Sequence, residues 1–375
     1  MTSSSNLVYV GTYSEPIVFG TGQTLHGKGR GIYANRFDPE NRTLFPLRVT
    51  DGVRNSSYIA FDPSKRFLFC VNEYKEYEGK PSGAVSGFKV NPLSGELTYL
   101  NTRASHGTDP CHLKVDATGS YLAVANFASG SVCVLPIGED GVLGEAVQVI
   151  QHEGSSLDPK RQAGPHAHAV EFDKANRFLF VPDLGLDRVM IYEFDERTGL
   201  LTPNAHQPWV TTAPGSGPRQ LAMSPDGNFA YLINELNSTL TAYRYNCDAG
   251  SLHALHTLST LPENYTGPST CAEVQVTPDG RFLYGSNRGH DSISIYSIDS
   301  NTGRIALIGN ESSLGQIPRN FDISKCGRFL AAANQDSNNV VLFALDPSNG
   351  RLTPTGSVIE VGTPICVRFM QIVIS

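Results

Sequence analysis

The feature that most constrains this chain is a phrase it repeats. IAFDPSKRFLFCVNE, LKVDATGSYLAVANF, VEFDKANRFLFVPDL, LAMSPDGNFAYLINE, VQVTPDGRFLYGSNR and FDISKCGRFLAAANQ each join two short apolar runs through a turn rich in Asp, Pro, Gly and Asn. The aromatic after the turn (Phe67, Tyr121, Phe178, Phe229, Phe282, Phe329) returns about every 50 residues, in the range expected of propeller blades. A further strand follows each phrase, as in SISIYSID, VMIYEFD and NVVLFALD, and a turn such as DPSNGRL or DERTGLL leads into a fourth. Helical periodicity is nearly absent. Four antiparallel strands per unit, repeated radially, predict an all-β propeller.

Six complete phrases are present, and the chain ends supply the pieces of a seventh. LVYVGTYS near the N-terminus matches a second strand without a first, and GTPICVRFMQIVIS at the C-terminus matches a first strand with nothing after it. Pairing them closes the ring and removes the edges of an open array. The expectation is a seven-bladed β-propeller, one domain over residues 1–375, with a six-bladed ring and a loose N-terminal strand as the alternative.

Composition narrows the function classes. With 40% hydrophobic and 17% charged residues, a net charge of −7 and a pI near 5.8, the chain suits neither a nucleic-acid partner nor an acidic membrane surface. MTSSSNLVYVGTYS has no basic or apolar leader pattern, and no apolar run approaches the roughly 20 residues of a membrane span. The seven cysteines (Cys70, Cys111, Cys133, Cys247, Cys271, Cys326, Cys366) are odd in number and spread along the chain, most of them in strand-like text. They read as free thiols in a reducing compartment, so a cytoplasmic protein is expected, monomeric or weakly homo-oligomeric.

Topology then gathers particular side chains. In each phrase the start of the first strand and the end of the second lie side by side, about 5 Å apart, at one mouth of the axial channel. The strand-start ring reads Ser57, Cys111, His168, Arg219, Ala272, Arg319 and Ile365, and the strand-end ring Thr12, Glu73, Phe127, Asp183, Glu235, Arg288 and Gln335. A histidine, three arginines and carboxylates facing one mouth mark a small-molecule site, although any one of them alone would read as a surface ion pair or a satisfied strand residue.

His166 and His168 in AGPHAHAVEFD could chelate a metal, but such a site needs about three protein ligands, and the neighbouring ring residues are arginines; no metal or other cofactor is expected. A non-catalytic scaffold of the WD40 type would repeat Trp-Asp and Gly-His signatures, and quinone-dependent dehydrogenase propellers carry a tryptophan in every blade, whereas this chain has the single Trp209; a propeller that binds a small molecule without chemistry is the alternative to an enzyme.

GPHAHAVEFD, GPRQLAMSPDG, YLINELNS and YGSNRGHDSISIY, with GTYS near the start and NEYKEYEGKPSGAVS at 72–86, resemble the motifs of the lactonase family of seven-bladed propellers. That family includes bacterial cycloisomerase-like 6-phosphogluconolactonases and fungal 3-carboxy-cis,cis-muconate lactonizing enzymes. The resemblance implies catalytic roles for His168, Glu235, Arg219 and Arg288, the positions that the ring alignment also selects. PENYTGPS and DPKRQAGPHAH look more like the phosphogluconolactonase branch, which favours hydrolysis of a sugar lactone over cyclisation of a muconate.

On that reading Glu235 and His168 form the acid–base pair, and Arg219 and Arg288 hold an anion or the oxyanion of an anionic lactone. His166, Arg319, His290, Glu73 and Asp183 are the expected substrate contacts, with Asp291 supporting Arg288. The segments EPIVFGTGQTLHGKGR (15–30) and HEGSSLDPKRQAG (152–164) are expected to cover the mouth and could bring His26, Lys28, Lys160 or Arg161 to it.

Overall fold

The computed structural model describes residues 3–19 and 22–374; Met1, Thr2, Gly20, Thr21 and Ser375 lie outside them. Every regular element among the described residues is a strand, and the strands form seven blades around an axis. Blade 1 is the closing blade. Its inner strand, Pro364–Ile374, comes from the C-terminus and pairs antiparallel with Ser3–Thr12, which in turn pairs with Gly31–Asp38. The inner strands of blades 2 to 7 are Tyr58–Phe61, Pro110–Val115, Glu171–Phe172, Pro218–Met223, Thr270–Val276 and Pro318–Ile323. Six blades have four strands; blade 4 gains a fifth, Trp209–Thr211, which pairs with Arg188–Asp195.

The repeated phrase folds the same way each time because its turn is capped from within. The side chain that opens the turn accepts a hydrogen bond from the backbone N–H of the recurring aromatic five residues on. Asp62 does so for Phe67 at 2.6 Å, Asp116 for Tyr121 at 2.9 Å, and Asp173 for Phe178 at 2.8 Å. Ser224 does so for Phe229 at 2.9 Å, Thr277 for Phe282 at 3.1 Å, and Ser324 for Phe329 at 3.1 Å. An Asp, Ser or Thr at that position offers the turn an acceptor that an apolar residue could not.

The aromatic then packs against the outer turn of the following blade. Phe178 lies against Gly250, where a Cβ would meet its ring at 2.3 Å, and the same contact joins Phe67 to Gly141 and Phe282 to Gly350. The core lies between neighbouring blades: Phe282, Tyr284, Ile293 and Ile295 of blade 6, for example, pack with Phe321, Leu330, Val341 and Phe343 of blade 7.

One departure from simple hairpins sets up the mouth. The inner strands slip register at the strand-start ring: Pro110 and His112 face consecutive partners while Cys111 is skipped, as are Arg219 between Pro218 and Gln220 and Arg319 between Pro318 and Asn320. Ile365 is skipped in blade 1, and Ala272 and Glu273 in blade 6. Five of the seven strand-start residues therefore sit in β-bulges, which bend the strand and re-aim the side chain. Blade 4 carries this furthest. The expected strand through His168 is regular only at Glu171 and Phe172, and an isolated bridge between Ala167 and Asp183 brackets the histidine.

Candidate active site

A cavity of about 340 Å³ opens at the mouth where these bulges gather. Glu73, Cys111, His168 and Arg319 border both this cavity and a smaller space of about 20 Å³ below it on the axis, so they form its floor. Phe127, His166, Glu235, Arg288 and Gln335 also line it. Arg219 lies one layer down, bordering the lower space.

Glu235 is the hub. Its Oε1 accepts from Arg161 Nη2 at 2.6 Å and its Oε2 from Arg219 Nε at 2.9 Å, and Arg288 Nη2 forms an ion pair with Oε2 at 2.8 Å. It is only 5% exposed. Burial pushes its carboxyl up, but the guanidiniums of Arg288, Arg161 and Arg219 prevail and hold it well below the usual carboxylate range. Three guanidiniums against one carboxylate leave surplus positive charge on that side of the cavity. Arg219 Nη1 also donates to the Ala272 carbonyl, and Arg288 Nη2 to the Cys271 carbonyl at 2.7 Å. Both arginines are thus tied to blade 6 and aimed before any ligand arrives.

His168 is buried edge-on to Phe127, at 5.3 Å between ring centres, with Nδ1 3.7 Å from Cys111 Sγ. Burial pulls its pKa well below that of an ordinary histidine; Arg219 pulls the same way, Glu235 opposes, and the imidazole is neutral near pH 7. His166 stacks on Phe127 at 4.7 Å and engages the Phe127 carbonyl through Nδ1 at 2.9 Å. Among the described residues no three His, Cys, Asp or Glu side chains converge as a metal-binding group.

On the far side, Arg319 Nη1 donates to Gln335 Oε1 at 3.3 Å and Nη2 to the Tyr13 hydroxyl at 3.2 Å. Tyr13 in turn donates to Glu73 Oε2 at 2.9 Å. Burial raises the Glu73 carboxyl to about 7, with Arg319 opposing the rise.

Two expected substrate contacts fall elsewhere. Asp183 is fully buried and does not line the cavity. Its Oδ1 accepts from the backbone N–H groups of His166 at 2.7 Å and Gly185 at 3.0 Å, while Oδ2 lies 2.6 Å from His152 Nδ1. Its ring position is real, but its oxygens are consumed in holding the His166–His168 turn in place. His290 lies outside the cavity lining, with Nδ1 2.6 Å from Ser292 Oγ and its ring against Tyr265. Asp291 organises the neighbouring loop by accepting from Gly289 N at 3.0 Å and Ile317 N at 2.8 Å.

Both covering segments reach the mouth, in different characters. Pro16–Val18 and Thr24–His26 form a hairpin that contributes Ile17, Val18, Phe19 and Leu25, while His26 and Lys28 stay exposed outside the lining. In the second segment Asp158 Oδ1 caps a turn through Lys160 N at 2.8 Å and Arg161 N at 3.2 Å, which sends Arg161 inward and leaves Lys160 exposed. Tyr13, Lys75, Asp109 and Asp336 were not singled out by the ring alignment. Their signal was adjacency, since Tyr13 follows Thr12 and Asp336 follows Gln335.

A family model described as Lactonase, 7-bladed beta-propeller, matches residues 7–369. The 6-phosphogluconolactonase of Bacillus subtilis (strain 168) is 33% identical over 363 residues, covering 97% of this chain and 98% of that protein. The 6-phosphogluconolactonase of Formosa agariphila is 32% identical over 300 residues, covering 79% and 82%. Among solved structures, the periplasmic gluconolactonase of Pseudomonas aeruginosa is 35% identical and superimposes with a TM-score of 0.88 over 98% of this chain and 99% of that one. Repeated phrase, closed ring and matched family agree: the chain belongs to the lactonase family of seven-bladed β-propellers.

Proposed function

We propose that this protein hydrolyses a small anionic lactone of the sugar type, such as 6-phosphogluconolactone, in the cavity at the channel mouth. The observation that carries the reading is the convergence of Arg161, Arg219 and Arg288 on the single carboxylate of Glu235, beside a neutral imidazole at the same cavity. The names of the relatives support the substrate class.

In this reading His168 takes a proton from water, and the hydroxide attacks the lactone carbonyl carbon. Its Nδ1 faces Cys111, so Nε2 is the nitrogen that meets water. Arg288 stabilises the oxyanion that forms, and Arg161 and Arg319 hold the substrate's carboxylate or phosphate. Glu235 keeps the guanidiniums apart and oriented and leaves the proton transfer to other groups. Arg219, below the cavity floor, fixes Glu235 and favours the neutral form of His168. None of the seven cysteines is paired, which supports a reducing, cytoplasmic setting; cell fractionation checks this directly.

The test is to assay the purified protein against 6-phosphogluconolactone, an unphosphorylated aldonolactone and a carboxymuconate. Hydrolysis of a lactone above the spontaneous rate, lost in Arg288→Ala, is expected. Absence of turnover of both lactones would overturn the reading.

A further inference from the structure

We infer that Glu73 is the acid that protonates the departing ring oxygen of the lactone, held in place by Tyr13 and Arg319. The inference rests on the lactone-hydrolysis reading and adds the proton donor that reading lacks. When His168 removes a proton from water, the ring oxygen leaves as an alkoxide unless a second group supplies a proton. Glu235 cannot supply one, because it is ionised and its two oxygens are already paired with three guanidiniums.

Of the other carboxyls at the cavity, Asp109 faces Lys75 at 3.8 Å and Asp336 accepts from Gln335 at 2.8 Å. Glu73 is different. It is 5% exposed, it sits in the floor beside His168 and Cys111, and the hydrogen bond to its carboxyl comes from a neutral hydroxyl. The charged and titratable groups facing it are Arg319, Asp109, Tyr13 and Cys111, with Lys75 countering Asp109. Burial with only one opposing guanidinium keeps a protonated fraction near neutral pH, whereas three guanidiniums abolish it at Glu235.

Water adds to the carbonyl carbon and gives one proton to His168. The bond from that carbon to the ring oxygen breaks, and the ring oxygen takes the Glu73 proton. The open hydroxy acid departs, and the proton on His168 returns to Glu73 through solvent.

The donor must be protonated, so kcat should fall as pH rises through about 7, the value to which burial brings Glu73. The base must be neutral, so the acid-side fall should lie well below the ordinary histidine range. The experiment compares wild type and Glu73→Gln on an alkyl lactone (gluconolactone or its 6-phosphate) and on an aryl lactone, whose phenoxide leaves without help.

Glu73→Gln should lose on the order of 10²–10⁴-fold in kcat on the alkyl lactone, keep KM within a few-fold, lose the basic limb, and lose far less on the aryl lactone. A folded Glu73→Gln protein that keeps kcat and the basic limb, or that loses equally on both lactones, would refute the role of Glu73 while leaving the lactonase reading intact. Wild type inert on both lactones would overturn both. Should Glu73→Gln fail to fold, Tyr13→Phe carries the test. Without the hydroxyl that favours the carboxylate, the basic limb should move to higher pH, and an unmoved limb would refute the inference.

Discussion

A carboxylate that bonds three guanidiniums is a poor base and a good positioner, and Glu235 meets that description in its contacts and in its depressed pKa. Glu235→Gln should therefore leave three cations facing one another, with Arg219 buried and Arg161 and Arg288 partly so. We expect a stability loss of about 3–5 kcal/mol, typical of breaking a buried pair, and a KM rise that exceeds any change in the acid limb of kcat; thermal melting and steady-state kinetics check both. Asp183 presents the converse. Because it holds backbone N–H groups and His152 rather than ligand, Asp183→Ala should destabilise by about 1–3 kcal/mol in denaturant titration, with KM for the lactone changed little where the variant is folded. The alignment of phrases placed both carboxyls on the same ring. It could not tell them apart, because a carboxyl's role depends on partners such as Arg161, which lies 74 positions from Glu235.

Elements repeat here because two local devices repeat. The capped turn sets the hairpin, and in five of the six phrases the aromatic that follows it packs on a glycine of the next blade, Phe329 meeting Phe37 instead. Gly250 has φ near 63° and Phe178 at contact distance, so Gly250→Ala meets both a strained backbone and a steric clash. It should cost about 1–3 kcal/mol or more, read as a lower midpoint in chemical denaturation with the activity of the folded fraction preserved. The bulges were less legible. Strict alternation places Arg219, Arg319 and Cys111 within regular strands, and nothing in GPRQ or IPRN announces a skipped pair. A bulge depends on the partner strand and on what the side chain meets across the channel, so it is settled between elements.

For the molecule as a whole, the ring closes through strands from opposite ends of the chain, with Leu7 opposite Met370 and Val10 opposite Val367. Truncation after Thr363 removes the inner strand of blade 1 and leaves Ser3–Thr12 as an open edge. We expect loss of a single cooperative melting transition and the appearance of oligomers in size-exclusion chromatography; a truncated chain that melts like wild type would contradict the closure. The repeated phrase, with its turn residues and its split seventh copy, was enough to establish the blade, the number of blades and the mouth at which His168, Glu235, Arg219 and Arg288 meet, because short-range periodicity and turn chemistry dictate them. The chemistry of those same residues was decided by folding. Burial and long-range pairing neutralise His168, hold Glu235 ionised and lift Glu73, and these depend on neighbours that only the closed ring brings together.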